Sequence, residues 1–172
     1  MVGSGCFEFM RSLSVFIAVL LVAAFTQIAG AQTKYDIYSN ARFNYEIEYP
    51  VGVLTPQEEA PNGDGRIFIS KDKTAEMRVW GQYNALFDTI KKAYLSDLKE
   101  RPTGVSYKAL LKGSYVISGS RDGKIFYQKT MLHGKDGDSG AVFCTFTIEY
   151  KTADKAKFDP IVKRISRSFK FN

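Results

Sequence analysis

One histidine and one late cysteine are the first residues to weigh for chemistry. His133 is the only histidine of the chain, and its two cysteines are Cys6 and Cys144. A thiolate and an imidazole within hydrogen-bond reach make a nucleophile and its base. His133 and Cys144 flank the turn-rich run Gly134-Lys-Asp-Gly-Asp-Ser-Gly140. A hairpin centred on Gly137 sets His133 opposite Ala141 and Thr130 opposite Cys144. Side chains alternate along a strand, so this register turns imidazole and thiol to opposite faces. A slip of one residue reverses that. No third group presents itself to orient the imidazole. The expectation is a turn-flanking histidine and a small buried cysteine.

Carboxylates offer the next chemistry. Asp136 and Asp138 lie in that same run. A calcium-binding EF-hand loop needs a glutamate at its twelfth position, where this chain has Thr147, and helices on both sides. A hairpin loop is the simpler reading. Asn62-Gly63-Asp64-Gly65 reads as a turn in the same way. Glu46 and Glu48 project together from one side of a strand-like run. Paired carboxylates in a cleft can hydrolyse a glycosidic bond, although on an exposed strand they are solvated charges. Trp80 alternates with Met77 and Val79, so its ring is either a packed second layer or a stacking platform. The chain has no phosphate-binding loop, dinucleotide fingerprint, zinc spacing or nucleophile elbow. No cofactor or metal is expected.

Charge is uneven along the chain. Residues 41–65 hold Arg42 against Glu46, Glu48, Glu58, Glu59 and Asp64. Residues 151–172 hold Lys151, Lys155, Lys157, Lys163, Arg164, Arg167 and Lys170 against Asp154 and Asp159. Helical spacing gathers Lys157, Lys163, Arg164 and Arg167 away from the apolar stripe. That makes a candidate patch for an anionic envelope component or an acidic protein partner.

The N-terminus supplies an address. Arg11 precedes the apolar run Leu13–Phe25, and Ala29-Gly30-Ala31 follows with small residues at cleavage spacing. This is the pattern of a secretory signal peptide, residues 1–31. The run falls short of the roughly 20 apolar residues of a membrane span. Cleavage leaves residues 32–172 as one domain, without a transmembrane span and with Cys144 as its only cysteine. Such a domain has no internal disulfide and depends on its core. The whole chain has 172 residues, a net charge of +6 and 14% aromatic residues. Losing Glu8 and Arg11 leaves that charge unchanged. An exported protein is not expected to meet nucleic acid, and the periplasm is the expected location.

Strand and helix patterns must position these groups. Phe43, Tyr45, Ile47 and Tyr49 alternate with polar residues up to Pro50, which ends the strand. Residues 32–41 read as a polar lead-in and 51–64 as a long loop. Arg66–Ser70 and Ala75–Gly81 read as strands around a tight turn. Ala85–Glu100 is periodic for a helix, with Leu86, Ile90, Tyr94 and Leu98 as its stripe. Phe87 and Leu95 widen that stripe, Asn84 is the expected cap and Pro102 the stop. Four strand-like runs follow, Val105–Leu111, Ser114–Ser120, Ile125–His133 and Ala141–Lys151. Arg121-Asp122-Gly123-Lys124 makes a short hairpin between the second and third. Phe158, Ile161, Val162, Ile165 and Phe169 form the stripe of a closing helix. Asp159-Pro160 starts that helix, or Pro160 lies in the first turn of one beginning near Ala153. The order implies an α+β fold, a mainly antiparallel twisted sheet of about six or seven strands with two main helices.

Arg42-Phe43-x-Tyr45-x-Ile47-x-Tyr49-Pro50, the central helix, the late meander, Phe158-Asp-Pro-Ile-Val162 and Ser168-Phe169 together resemble the PsbP-type fold. That group includes the photosystem subunit PsbP and exported bacterial proteins such as DcrB and LpqN. The Asn62–Gly65 loop followed by a short strand also resembles a set of uncharacterised proteobacterial exported proteins. The resemblance covers most of residues 41–171 and implies the fold. It carries over no catalytic or metal-binding residue and assigns no photosystem role. The expected function is non-catalytic binding of, or assistance to, an envelope partner. The alternative is an envelope-acting hydrolase that uses carboxylates in a cleft.

The mature N-terminus is expected at Gln32. Intact-mass measurement of the exported protein checks this, and retention of Met1 in the membrane fraction would establish an uncleaved anchor instead.

Overall fold

Alternation of period two accounts for most of the architecture. The computed structural model describes residues 33–86, 88–101 and 103–172. The expected signal peptide, Gln32, Phe87 and Pro102 lie outside the described residues. The elements in chain order are β1 (Tyr35–Asn40), β2 (Tyr45–Pro50), β3 (Thr55–Glu59), β4 (Gly65–Ile69) and β5 (Glu76–Tyr83). Then come α1 (Ile90–Glu100), β6 (Val105–Leu111), β7 (Ser114–Arg121), β8 (Lys124–His133) and β9 (Val142–Lys151). A 3-10 turn at Thr152–Asp154, α2 (Lys155–Ser168) and β10 (Lys170–Phe171) close the chain. Seven strands form one sheet in the order β3-β4-β5-β9-β8-β7-β6, and β1-β2-β10 form a second. The pairings are antiparallel. This is the expected α+β fold, with a small second sheet added.

Three strands carry too little apolar signal to be read from sequence. The lead-in contains β1, where only Tyr38 and Asn40 are buried. Asn40 is satisfied by its side chain, which accepts from Phe43 N at 2.9 Å and donates to Gly63 O at 2.9 Å. The loop after Pro50 contains β3, a polar edge strand with Pro56 and a register shift before Glu59, as edges tolerate. β10 is two residues long.

The large sheet has two different faces. Met77, Val79, Cys144, Phe146 and Ile148 line one face and form the main core with Tyr45, Ile47 and the stripe of α2. Phe43 lies across the small sheet's edge onto Gly81, where any Cβ would sit 2.4 Å from its ring. On the other face, Ile90 of α1 meets Tyr115, Ile117 and Phe143 in a smaller cluster. The β7–β8 hairpin turns at Asp122 and Gly123, both with positive φ (53° and 74°). That is the two-residue turn whose twist suits antiparallel strands.

Local hydrogen bonds reset two element boundaries. Helix α1 starts at Ile90, five residues later than its periodicity implies. Asn84 is not its cap: its side chain accepts from Asp88 N at 2.8 Å and donates to Asp88 O and Asp138 O. These bonds hold Asn84 and Asp88 outside the helix, in side-chain-to-backbone contacts that compete with it, and Leu86 is left 76% exposed. Thr89 is the cap, its Oγ1 accepting from Lys92 N at 3.1 Å. The hairpin joining β8 to β9 is also one residue off the expected register. His133 pairs with Val142 and Met131 with Cys144. Ala141 belongs to the loop, because its N–H donates to Asp138 O and its carbonyl accepts from Asn84 N.

Helix α2 runs through Pro160 without breaking. Pro160 has no N–H, so the Ala156 carbonyl one turn back lacks its helical donor. The opposite end is tied down from β8. Lys129 Nζ donates to Ser166 O at 2.7 Å and to Phe169 O at 3.3 Å, a cation at the negative end of the helix dipole. Burial lowers its pKa. Lys129→Met keeps most of the apolar stem and removes both bonds. It is expected to lose about 1–3 kcal/mol, read as a lower urea midpoint with an unchanged slope.

Candidate functional site

Each expected chemical group has a definite place in the fold. Cys144 is fully buried, and burial pushes its thiol up to about 12. The one-residue shift puts His133 on the same sheet face as Cys144, contrary to the expected register. The exposed His133 ring lies instead against Phe171, with centroids 4.9 Å apart. A thiol so far from ionisation, with its only candidate base engaged elsewhere, is no nucleophile. Asp136 Oδ1 accepts from Ile90 N at 2.7 Å and so helps cap α1. Asp138 Oδ1 accepts from Gly140 N at 2.8 Å. Asp64 and Asn62 bond each other within a turn, and Tyr45 Oη donates to Asp64 O at 3.1 Å. No group of three or more His, Cys, Asp or Glu gathers among the described residues.

The glutamate pair of β2 is committed to cations. Glu48 takes both hydrogen bonds of a fork from Arg164, at 2.7 and 3.1 Å. Lys170 Nζ lies 2.9 Å from Glu46 Oε1. The bond from Arg164 holds the Glu48 carboxyl below its ordinary range. A general acid needs the opposite shift. The acidic β2 therefore lies beside α2 and cancels part of its charge.

This contact divides the four cations of the expected patch. Arg164 is bound to Glu48 and stacks 3.9 Å over the Tyr35 ring. Lys157 Nζ lies 5.3 Å over the Phe158 ring. Lys163 and Arg167 line a groove of about 650 Å³ between α2 and the β6–β7 end of the large sheet, and Arg167 also borders the hollow of Glu46 and Glu48 on the β2 side without pairing with either. Alternation puts Ser118 and Ser120 of β7 on that side, and Ser166 of α2 joins them. Tyr127 Oη and Ser166 Oγ are bonded at 2.7 Å on its inner wall.

Among the described residues, the only carboxylate lining the groove is Asp159. It is held by Lys155 and accepts from Tyr150 Oη at 3.5 Å. Burial, with the charge of Asp159, pushes the Tyr150 hydroxyl up to about 12. Neither Lys163 nor Arg167 pairs with a carboxylate among the described residues. Two free cations over hydroxyl donors can hold an anion. The arrangement offers no nucleophile-and-base pair.

No protein-family model matches the sequence, and no curated protein is similar to it. Solved structures are similar in fold. Cyanobacterial PsbP (CyanoP) from Synechocystis aligns over 87% of this chain and 99% of its own, with a TM-score of 0.55 and 12% identity. The Ran-binding protein Mog1p of Saccharomyces cerevisiae aligns over 81% and 96%, with a TM-score of 0.51 and 10% identity. The chain therefore has a PsbP-like fold. At such identities the likeness transfers no site.

The Glu48–Arg164 fork makes stability depend on acid. Glu48 has a folded-state pKa below its ordinary 4.5, so its contribution is complete above that value and is lost as pH falls through the folded one. Glu48→Gln is expected to lower the urea midpoint at neutral pH. The gap to wild type should close as pH falls through the lowered folded-state value of Glu48, below which both side chains are neutral.

Proposed function

We propose that this chain is an exported, non-catalytic binding module that holds an anionic envelope component in the groove beside α2. The observation that carries this reading is the unpaired state of Lys163 and Arg167. Lys155, Arg164 and Lys170 are spent on Asp159, Glu48 and Glu46, and Lys157 lies over the Phe158 ring outside the groove. Two cations left free over serine hydroxyls in a groove suit phosphate or carboxylate groups. Export is supported by the N-terminal apolar run with its Ala29-Gly30-Ala31 boundary. No helix of the described residues is long and apolar enough to cross a membrane. The hydrolase alternative has little support, since Glu46 and Glu48 are neutralised in ion pairs.

Co-sedimentation with phosphatidylglycerol vesicles, at low and high salt, tests the proposal. Wild type should bind at low salt and release as salt screens the contact. The Lys163→Glu, Arg167→Glu double variant should bind about thirtyfold more weakly or worse, since each such cation near an anionic surface contributes about 1 kcal/mol. Lys91→Glu, Lys99→Glu makes the same change in net charge on α1 and should bind like wild type. Equal binding by both double variants would reduce the effect to overall charge. No binding by wild type at low salt, to vesicles or to purified anionic envelope polymers, would remove the reading.

A further inference from the structure

The second face of the large sheet carries a polar row that packing does not require. Trp80 pairs with Thr145, Thr145 with Thr130, and Thr130 with Tyr115. These four residues therefore run straight across β5, β9, β8 and β7. Gln128 stands beside the row on β8. Strands are about 4.8 Å apart, so the row spans about 14 Å. Helix α1 covers the Tyr115 end and leaves the Trp80 end open, with a cleft of about 500 Å³ between them. That volume is in the range of small-molecule sites.

The floor of this cleft is buried yet polar. Gln128, Thr130 and Thr145 are 4%, 2% and 6% exposed. Burying polar groups is costly unless they are bonded, and valine or isoleucine would fill these strand positions without that cost. Here they form a chain. Thr130 and Thr145 hydroxyls are 2.9 Å apart, and Gln128 Nε2 donates to Thr130 Oγ1 at 3.2 Å. Gln128 Nε2 also donates to Asp97 of α1, and Tyr115 Oη donates to the same carboxylate at 2.5 Å. Both of these bonds land on Oδ2. Asp97 is thus fixed in place by two donors, while its Oδ1 is left for a ligand.

We propose that this cleft binds a neutral saccharide. The half-buried Trp80 indole supplies an apolar ring face at the open end. Asp97 and Arg101 supply an acceptor and donors along the α1 wall. A pyranose presents the same combination, an apolar C–H face with hydroxyls around its edge. Charge argues against an anionic ligand. Asp88, Asp97 and Glu100 line the cleft against Arg101 alone, the reverse of the α2 groove. The two sites lie on opposite faces of the sheet, so this site stands independently of the anion reading.

Trp80 is the only tryptophan of the chain, so its fluorescence reports on this cleft. The purified protein is titrated with maltohexaose, cellohexaose and N-acetylchitohexaose. A saturable fluorescence change with at least one, insensitive to salt, is expected. Calorimetry on Trp80→Ala and Asp97→Asn, each checked for folding by circular dichroism, should show at least about tenfold weaker binding, as loss of a hydrogen bond to a charged group implies. Asp97→Asn retains an oxygen for the Tyr115 and Gln128 bonds. Trp80→Ala changes a partly exposed residue, so it tests the site even if Asp97→Asn does not fold. The proposal is overturned if none of the three sugars gives a saturable change at about 10 mM, beyond the millimolar range of weak binding. Undiminished binding by folded Trp80→Ala overturns it as well.

Discussion

The fold depends on burying one stripe of α2 between two sheets. Phe158, Ile161, Val162, Ile165 and Phe169 are all buried there. Phe169 sits between Tyr45 of the small sheet and Phe146 of the large one, edge-on to both at 5.9 and 5.2 Å. Each such side chain contributes roughly 1.5–3 kcal/mol of burial, so the stripe as a whole rivals the net stability of a typical domain, about 5–15 kcal/mol. Among the described residues no disulfide shares that load, because Cys144 is free and buried. Lys129 closes the helix end from the large sheet, and β10 then pairs with β2. Small sheet, helix and large sheet are thereby locked to one another by the last part of the chain.

Seating that stripe also sorts the charges of the helix. Once Phe158 and Ile165 face the core, one flank of α2 must lie along β2 and the other along the β6–β7 end of the large sheet. The β2 flank brings Arg164 to Glu48, and just past the helix end Lys170 reaches Glu46. The other flank meets serines, its carboxylate Asp159 is held by Lys155, and Lys163 and Arg167 are left without an ion pair. Electrostatics alone does not select these two cations. They are free because packing sets Lys163 toward the hydroxyls of the sheet and Arg167 between the two flanks.

Much of this was legible from pattern, and the failures have physical causes. Alternation in Phe43–Pro50 and Ala141–Lys151 marked the core strands, because each buries one full face. It missed β1 and β3, whose burial is thin and partly polar, as with Asn40. The period of Ala85–Glu100 overran the true start of α1 because Asn84 binds the backbone of Asp88. The cations of α2 could be placed by helical spacing. Pairing of Arg164 with Glu48 could not, since 116 residues separate them and only the packing of α2 on β2 joins them. The row from Trp80 to Tyr115 was equally hidden, because it exists only through the registers of four strands.

The central strand β9 shows why both faces of the sheet are usable. Val142, Cys144, Phe146, Ile148 and Tyr150 point to the main core. Phe143, Thr145, Thr147 and Glu149 point to the other face, where only Phe143 meets α1. A strand at the middle of a sheet covered on both sides reads as a nearly continuous apolar run. β9 departs from that pattern where α1 stops. Threonine keeps the branched shape that suits a strand and adds a hydroxyl that points away from the main core. The same substitution pattern in β8, with Gln128 and Thr130, meets it across the ladder. Polar residues in neighbouring strands, aligned by register, bond to one another and to Asp97 of the one helix on that side, which offsets the cost of burying them. They floor the cleft on the sheet's second face, while the first face carries the larger of the two apolar clusters.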